Sequence, residues 1–210
     1  MSLSEKLNRK LDGGKFRLLN EKMYRGKGLG KGNLQLYHEL YGSQVTKWPV
    51  NPLDVIIQRI KKMNSELAIA DIGCGEARIA KEFKNVVSLD IHPVTSDVVH
   101  CDMSKKIPLD DESMDVAVCC LSMMMSNITS ATREVNRILK KEGYWYVAEV
   151  RSRIESVNML GKRFESFGFD VEYVDVTSKQ FVLYVLKKRE LLNNRRKKPI
   201  LLIPCMYKKR

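Results

Sequence analysis

The chain has 210 residues, with 37 Lys/Arg against 25 Asp/Glu for a formal net charge of +12, and 5 cysteines. That length suits one well-buried α/β domain with some decoration, and is too short for two comfortable ones. The cysteines at 74, 101, 119, 120 and 205 form neither a disulfide framework nor a metal-ligand spacing. The longest apolar stretch, "VAVCCLSMMM" at 116–125, falls well short of the roughly 20 residues a membrane helix needs, and "MSLSEKLNRK" lacks a secretory apolar segment. The expectation is a soluble protein of a reducing compartment, with no metal and no membrane partner.

Charge is divided unevenly along the chain. Residues 1–66 carry 13 Lys/Arg against 6 Asp/Glu, residues 67–186 carry 14 against 18, and residues 187–210 carry 10 against 1. A mildly acidic centre between two basic ends suits a polyanionic partner, because each phosphate neutralised releases condensed counterions; Lys/Arg-rich ends also occur as solvated tails.

The first 66 residues form the predicted basic helical cap. Helices are expected at 3–11, 15–24, 33–46 and 52–63, with Pro49 and Pro52 marking the break before the last. "RGKGLGKGN" at 25–33 lacks the Gly-x4-Gly-Lys-Ser/Thr spacing of a phosphate loop, and reads as a connector with Lys27 and Lys31 free for phosphate contacts. From 67 to 188 the pattern alternates: strands at 67–71, 86–90, 98–101, 114–120 and 143–150, with helices near 76–83, 129–139 and 153–167. "FDVEYVDV" (169–176) and "FVLYVLKK" (181–188) lie too close for a parallel crossover and must form an antiparallel hairpin. The predicted core is therefore an α/β, Rossmann-like sheet of seven strands with one reversed. Residues 189–210 make a basic tail whose apolar "ILLIP" either docks on the domain or belongs to an RNA arm or a localisation signal.

The chemistry centres on "ADIGCGEARIA" at 70–80, read as strand, glycine turn, helix. In such a unit glycines let backbone approach a ligand, and a helix start supplies free N–H groups. A dinucleotide fingerprint would place its third glycine where Arg78 stands. Instead, carboxylates fall at successive strand ends: Asp71, two residues before Gly73 of the Gly73-Cys74-Gly75 turn, then Asp90, then Asp102. Asp90 is placed to accept from a ribose diol, and Asp102 from an adenine amine, with Met103 offering its N–H and thioether to the ring. Asp71 is placed to meet an ammonium group. Ribose, adenine and ammonium together describe S-adenosylmethionine better than NAD, although each Asp alone is more often a turn former or cap.

At this point the chain resembles a known family, the nucleomethylin-like ribosomal RNA-processing protein 8 family of class I methyltransferases. The resemblance runs through "LDGGKFRLLNEKMY" (11–24), "LYHELYGSQVTKWPVNPLD" (36–54), "CDMSKKIPLDDESMDVAVCCLS" (101–122), "REVNRILKKEGYWYVAEVRSR" (133–153) and the terminal "PCMYKKR". It implies a seven-stranded class I methyltransferase sheet under an N-terminal lid, and methylation of N1 of an adenine in large-subunit ribosomal RNA. It also implies S-adenosylmethionine as cofactor and a nucleolar setting, with ribosomal RNA or a pre-ribosome as partner and an association with chromatin silencing. Carried over by position, it puts His38, Gly73, Asp90, Asp102, Met103 and Cys120 around the cofactor, beside Asp71 and Gly75 from the turn itself. One departure is Met125, which stands where the family has a glycine and would narrow the pocket beside the methyl donor. No catalytic base is assigned, and a monomer is expected. The rival expectation is a cofactor-binding interaction module of a chromatin or pre-ribosome assembly with little catalysis.

Overall fold

In the computed structural model the described residues are 3–24, 30–46, 48–63, 66–190 and 197–205. Lys27 and the basic stretches 191–196 and 206–210 lie outside them, as does the side chain of Lys31. The described chain forms two units, residues 52–203 and residues 1–51 with 204–210.

The larger unit is built on strands β1 (Ile69–Ile72), β2 (Val86–Asp90), β3 (Val99–His100), β4 (Met114–Cys120), β5 (Leu139–Val150), β6 (Phe169–Asp175) and β7 (Phe181–Lys188). Their order is β3-β2-β1-β4-β5-β7-β6. β1 pairs in parallel with β2 and β4, β2 with β3, and β4 with β5, while β7 runs antiparallel to both β5 and β6. The sheet is the expected seven-stranded one with a single reversed strand. β1 is short and wholly buried, as a central parallel strand must be when both faces are covered.

Alternation along the strands divides the core. Trp145 of β5 points to one face and there meets Phe164 edge-on at 5.3 Å and Phe169 at 5.2 Å. Phe164 lies on α5 (Val157–Ser166), whose N-cap Ser156 accepts from the N–H of Met159. Helix α4 (Thr129–Ile138) adds Ala131, Val135 and Ile138. Tyr146, on the opposite face, donates its hydroxyl to the Met63 sulfur at 3.4 Å. That face carries α3 (Pro52–Ile60), which starts on a proline and buries Ile56, Ile57 and Ile60. Arg59 of α3 lies 4.0 Å over the Tyr173 ring.

The smaller unit holds α1 (Leu3–Tyr24) and α2 (Lys31–Val45). The two helices expected at 3–11 and 15–24 are one, continuous through Gly13 and Gly14, where an added Cβ would meet nothing within 4 Å. Glycine costs about 1 kcal/mol in a helix interior; here the stacking of Phe16 on Tyr37, with ring centroids 5.6 Å apart, holds the helix against α2.

The helix expected at 76–83 is the main correction. Residues 75–78 form turns, and only a 3-10 segment, Ile79–Lys81, follows. Positive φ recurs at Gly73 (74°), Gly75 (55°) and Ala77 (51°), so the chain is still reversing where a helix would have to begin. The predicted helix 153–167 likewise shortens to α5, preceded by a 3-10 turn at Arg151–Arg153.

Candidate functional site

Because β3, β2, β1 and β4 are neighbours, Asp102 just after β3, Asp90 closing β2, Asp71 near the end of β1 and Cys120 closing β4 fall along one carboxyl edge. Open α/β sheets bind ligands at this edge. The turn after β1 is latched to β2 by the N–H groups of Gly73 and Cys74, both donating to the Leu89 carbonyl at 2.7 and 3.0 Å. The N–H of Gly75 donates to Asp90 Oδ2 at 2.9 Å, and that of His92 to Asp90 Oδ1 at 2.8 Å. Asp90 therefore shapes the glycine turn, and each of its oxygens keeps one further lone pair for a ligand donor. The N–H groups of Gly73, Cys74, Gly75 and Ala77 are thus all engaged within the protein, and the helix start expected to supply free ones does not form here.

Gly73 is glycine for two reasons. Its φ of +74° disfavours any side chain, and an added Cβ would lie 2.3 Å from Ser122 Cβ and 3.2 Å from Met103 Cε. Ser122 in turn donates its hydroxyl to the Ile72 carbonyl at 2.7 Å. The residues after β3, β1 and β4 thus meet at one point. Sequence reasoning missed Ser122; its signal was a small hydroxyl residue two positions past β4, opposite a glycine that must be bare.

Asp71 is 4% exposed and makes no hydrogen bond or ion pair among the described residues. Burial, and secondarily the Asp90 charge, push its carboxyl up to about 7. In register beside it, Ser88 buries a hydroxyl that also has no partner among the described residues. An unpartnered buried carboxylate costs several kcal/mol unless a donor arrives. Asp102 differs: its Oδ1 accepts from the hydroxyl and N–H of Ser104 at 2.6 and 3.0 Å. The Ser104 hydroxyl, then the Ser104 N–H and the Lys105 ammonium, hold its carboxyl below the ordinary range. Among the described residues its Oδ2 faces only the Lys105 ammonium, at 3.5 Å. Met103 is buried, with its thioether end against the glycine turn.

Cys120 is half-buried at the end of β4 and Cys119 is buried behind it. Desolvation, then the Asp71 charge for Cys120, raise both thiols, Cys119 to about 12 and Cys120 well above its ordinary value. Both are thiols at neutral pH, a poor state for a nucleophile. His38 lies on α2 in the smaller unit; its Nε2 is buried with no partner among the described residues. No cluster of three metal-ligating side chains occurs among the described residues. A separate open groove of about 560 Å³ lies along α3, lined by Asp54, Val55, Gln58, Arg59, Lys62 and Tyr146. None of the strand-end carboxylates lines it. The carboxyl-edge residues Asp71, Asp90 and Asp102 thus lie apart from that groove.

A family described as hypothetical methyltransferase matches residues 2–210. The chain is 37% identical to ribosomal RNA-processing protein 8 of Drosophila melanogaster, over 100% of this chain and 61% of that protein. It is 36% identical to the 25S rRNA (adenine(645)-N(1))-methyltransferase of Schizosaccharomyces pombe, over 100% of this chain and 73% of that protein. Including the mouse relative, the chain spans between 48% and 73% of the length of such relatives. Among solved structures, a TehB-like SAM-dependent methyltransferase from Corynebacterium glutamicum aligns with a TM-score of 0.58 at 17% identity, covering 76% of this chain and 100% of that one. This likeness shows a shared fold. Sequence identity along the whole chain, carried on that methyltransferase-type sheet, places the protein in the ribosomal RNA-processing protein 8 family of methyltransferases.

Proposed function

We propose that the chain is an S-adenosylmethionine-dependent methyltransferase that modifies N1 of an adenine in large-subunit ribosomal RNA. The observation that carries the cofactor is Asp71, a buried carboxylate with no partner among the described residues, beside a glycine turn that exposes backbone at the ligand edge. A zwitterionic nucleoside supplies the ammonium that such a carboxylate lacks. In this reading Asp71 meets the ammonium and Asp90 the ribose diol. Asp102 Oδ2 and the Met103 N–H take the adenine, Gly73 and Gly75 give close backbone approach, and Cys120 floors the site. His38 joins them by family resemblance. The adenine-N1 target rests on the name of the Schizosaccharomyces pombe relative.

The bound cofactor supplies an electrophilic methyl group on a sulfonium. The chain's own residues bind, orient and exclude water, since an in-line displacement gains most from positioning. An adenine N1 has an in-plane lone pair and needs no strong base for attack. The protonated state of Cys119 and Cys120 argues against a covalent enzyme-base adduct. The basic ends, 1–66 and 189–210, flank the core of 67–188 and supply the counter-charge for RNA in a nucleolar pre-ribosome.

The test is incubation of unmodified large-subunit ribosomal RNA with labelled cofactor and nucleoside mass spectrometry, with Asp71→Asn as control. Label in N1-methyladenosine, lost in the variant, supports the reading. Tight cofactor binding without label in any nucleoside would overturn it in favour of an interaction module.

A further inference from the structure

Residues 121–128, which follow β4, contain no helix or strand, so their backbone must find partners elsewhere. On one side Ser122 ties them to the end of β1. On the other, Arg153, buried on the turn after β5, donates from Nη1 to the Met123 carbonyl at 2.6 Å and from Nη2 to the Met125 carbonyl at 2.8 Å. Nη1 also meets Glu149 Oε2 at 2.7 Å, in an ion pair with 0% and 1% side-chain exposure. The remaining arm, Nε, donates to the Ile203 carbonyl at 3.0 Å, and the Ile203 N–H returns a bond to the Arg153 carbonyl at 2.8 Å.

The segment 200–203 also lies directly on the loop. Asn127 and Leu201 form an antiparallel bridge. The Leu202 N–H donates to the Ser126 carbonyl at 2.7 Å, and the Ile128 N–H to the Ile200 carbonyl at 3.0 Å. The Ile200 N–H donates to Thr129 Oγ1 at 2.9 Å. Ile200 and Leu202 are buried while Leu201 and Ile203 are exposed, the alternation of a strand laid on a core. A buried ion pair is seldom a net source of stability. A guanidinium whose planar fork reaches three carbonyls from two distant segments does something an apolar pair would not: it fixes their relative position.

We infer that Arg153 and residues 200–203 form a clamp that sets the conformation of the loop after β4, so that Arg153 is a positioning residue and the C-terminal segment is a working part of the acceptor side of the site. Its consequence for rate rests on the proposed function together with the family resemblance, which sets Met125 of this loop beside the methyl donor. Displacement of the loop by about 1 Å is enough to lower transfer about 100-fold, because near-attack geometry carries the reaction.

The clamp is tested with Arg153→Lys, with Leu202→Pro, and with the paired Glu149→Leu/Arg153→Met. Arg153→Lys keeps the charge opposite Glu149 but loses the fork. Leu202→Pro removes the N–H held by Ser126. The paired variant removes both buried charges, so that neither is left orphaned. Amide hydrogen exchange at Ile128, affinity for S-adenosylhomocysteine by calorimetry, and kcat and KM for ribosomal RNA are measured on the full chain. The clamp predicts at least tenfold faster exchange at Ile128, kcat lowered tenfold or more, and S-adenosylhomocysteine affinity within twofold of wild type in Leu202→Pro and the paired variant. Arg153→Lys should fall between these and wild type. Wild-type exchange at Ile128 in both strong variants, or unchanged kcat with the amide freed, would overturn it. If the wild-type protein transfers no methyl group to ribosomal RNA, the proposed function fails by itself, and the exchange result alone upholds or overturns the clamp.

Discussion

Asp71→Asn isolates the energetics of the buried carboxylate. Desolvation first, and the Asp90 charge second, raise Asp71 to about 7 from an ordinary 3.8. The folded-state value is above the unfolded one, so the stability linked to its proton is fully present below about pH 4 and is lost as pH rises towards and through 7. A gap of about three units amounts to about 4 kcal/mol, lost at about 1.4 kcal/mol per pH unit across that window and level above it. Asparagine fills the same space without the charge, so the variant should gain on wild type by about 3 °C in Tm per pH unit from about pH 4 to 7. Cofactor binding should respond in the opposite sense. Below pH 7 the carboxylate must ionise to meet an ammonium, so wild-type affinity rises up to about tenfold per unit toward neutrality and levels off above about 7, once the carboxylate is ionised. Asp71→Asn should bind weakly and without that rise. Ligand-free thermal denaturation from about pH 4.5 to 8.5, paired with S-adenosylhomocysteine calorimetry, measures both. Parallel Tm curves, or equal affinity for both proteins at about pH 7.5, would refute the reasoning.

Further expectations concern the turn and the charged ends. Gly73→Ala combines a left-handed φ with a Cβ in contact with Ser122, and should cost about 2–5 kcal/mol; Ser122→Gly in the same chain should restore all but about 1–2 kcal/mol, as urea denaturation would read. Asp90→Ala frees the N–H groups of Gly75 and His92 as well as removing a ligand contact, so it should loosen the turn in hydrogen exchange even without ligand. Asp90→Asn retains an acceptor and should preserve the turn better; equal exchange in the two variants would contradict the latch. RNA binding should weaken about 100-fold between about 50 and 200 mM salt if about five phosphates are neutralised, and salt-insensitive binding by filter assay would exclude the basic ends as its source.

The sheet was readable because its constraints are local: four residues between "FDVEYVDV" and "FVLYVLKK" permit only a hairpin, and apolar runs mark the central strands. The strand-end carboxylates were readable for the same reason, since strand ends and chain order place them on one edge. The helix after Gly75 was misread because Ala77, Ile79 and Ala80 have helical spacing, whereas the backbone is committed to positive φ through Ala77 by contacts with β2. Ser122 opposite Gly73 and Arg153 against Ile203 are separated by about fifty residues each, and no periodicity reports such meetings. The double role of Asp90, which shapes the loop while facing the ligand edge, was likewise invisible until the N–H donors of Gly75 and His92 were located.

The pairing of residues 200–203 with 126–128 also bears on how the protein is made. A nascent chain can assemble β1 to β5 as they emerge, but the strand that covers the loop after β4 comes more than seventy residues later. Until then the Ser126 carbonyl and the Ile128 N–H lack their final partners, and the loop stays open on its outer side. Synthesis from the N-terminus, with domains folding as units, therefore makes this edge of the site among the last parts to take shape. A chain stalled or cleaved before Ile200 would keep the turn of Gly73 and Gly75 and its contacts with β2 while leaving the loop after β4 without its outer strand; under the proposed function it would hold cofactor without a competent place for the acceptor.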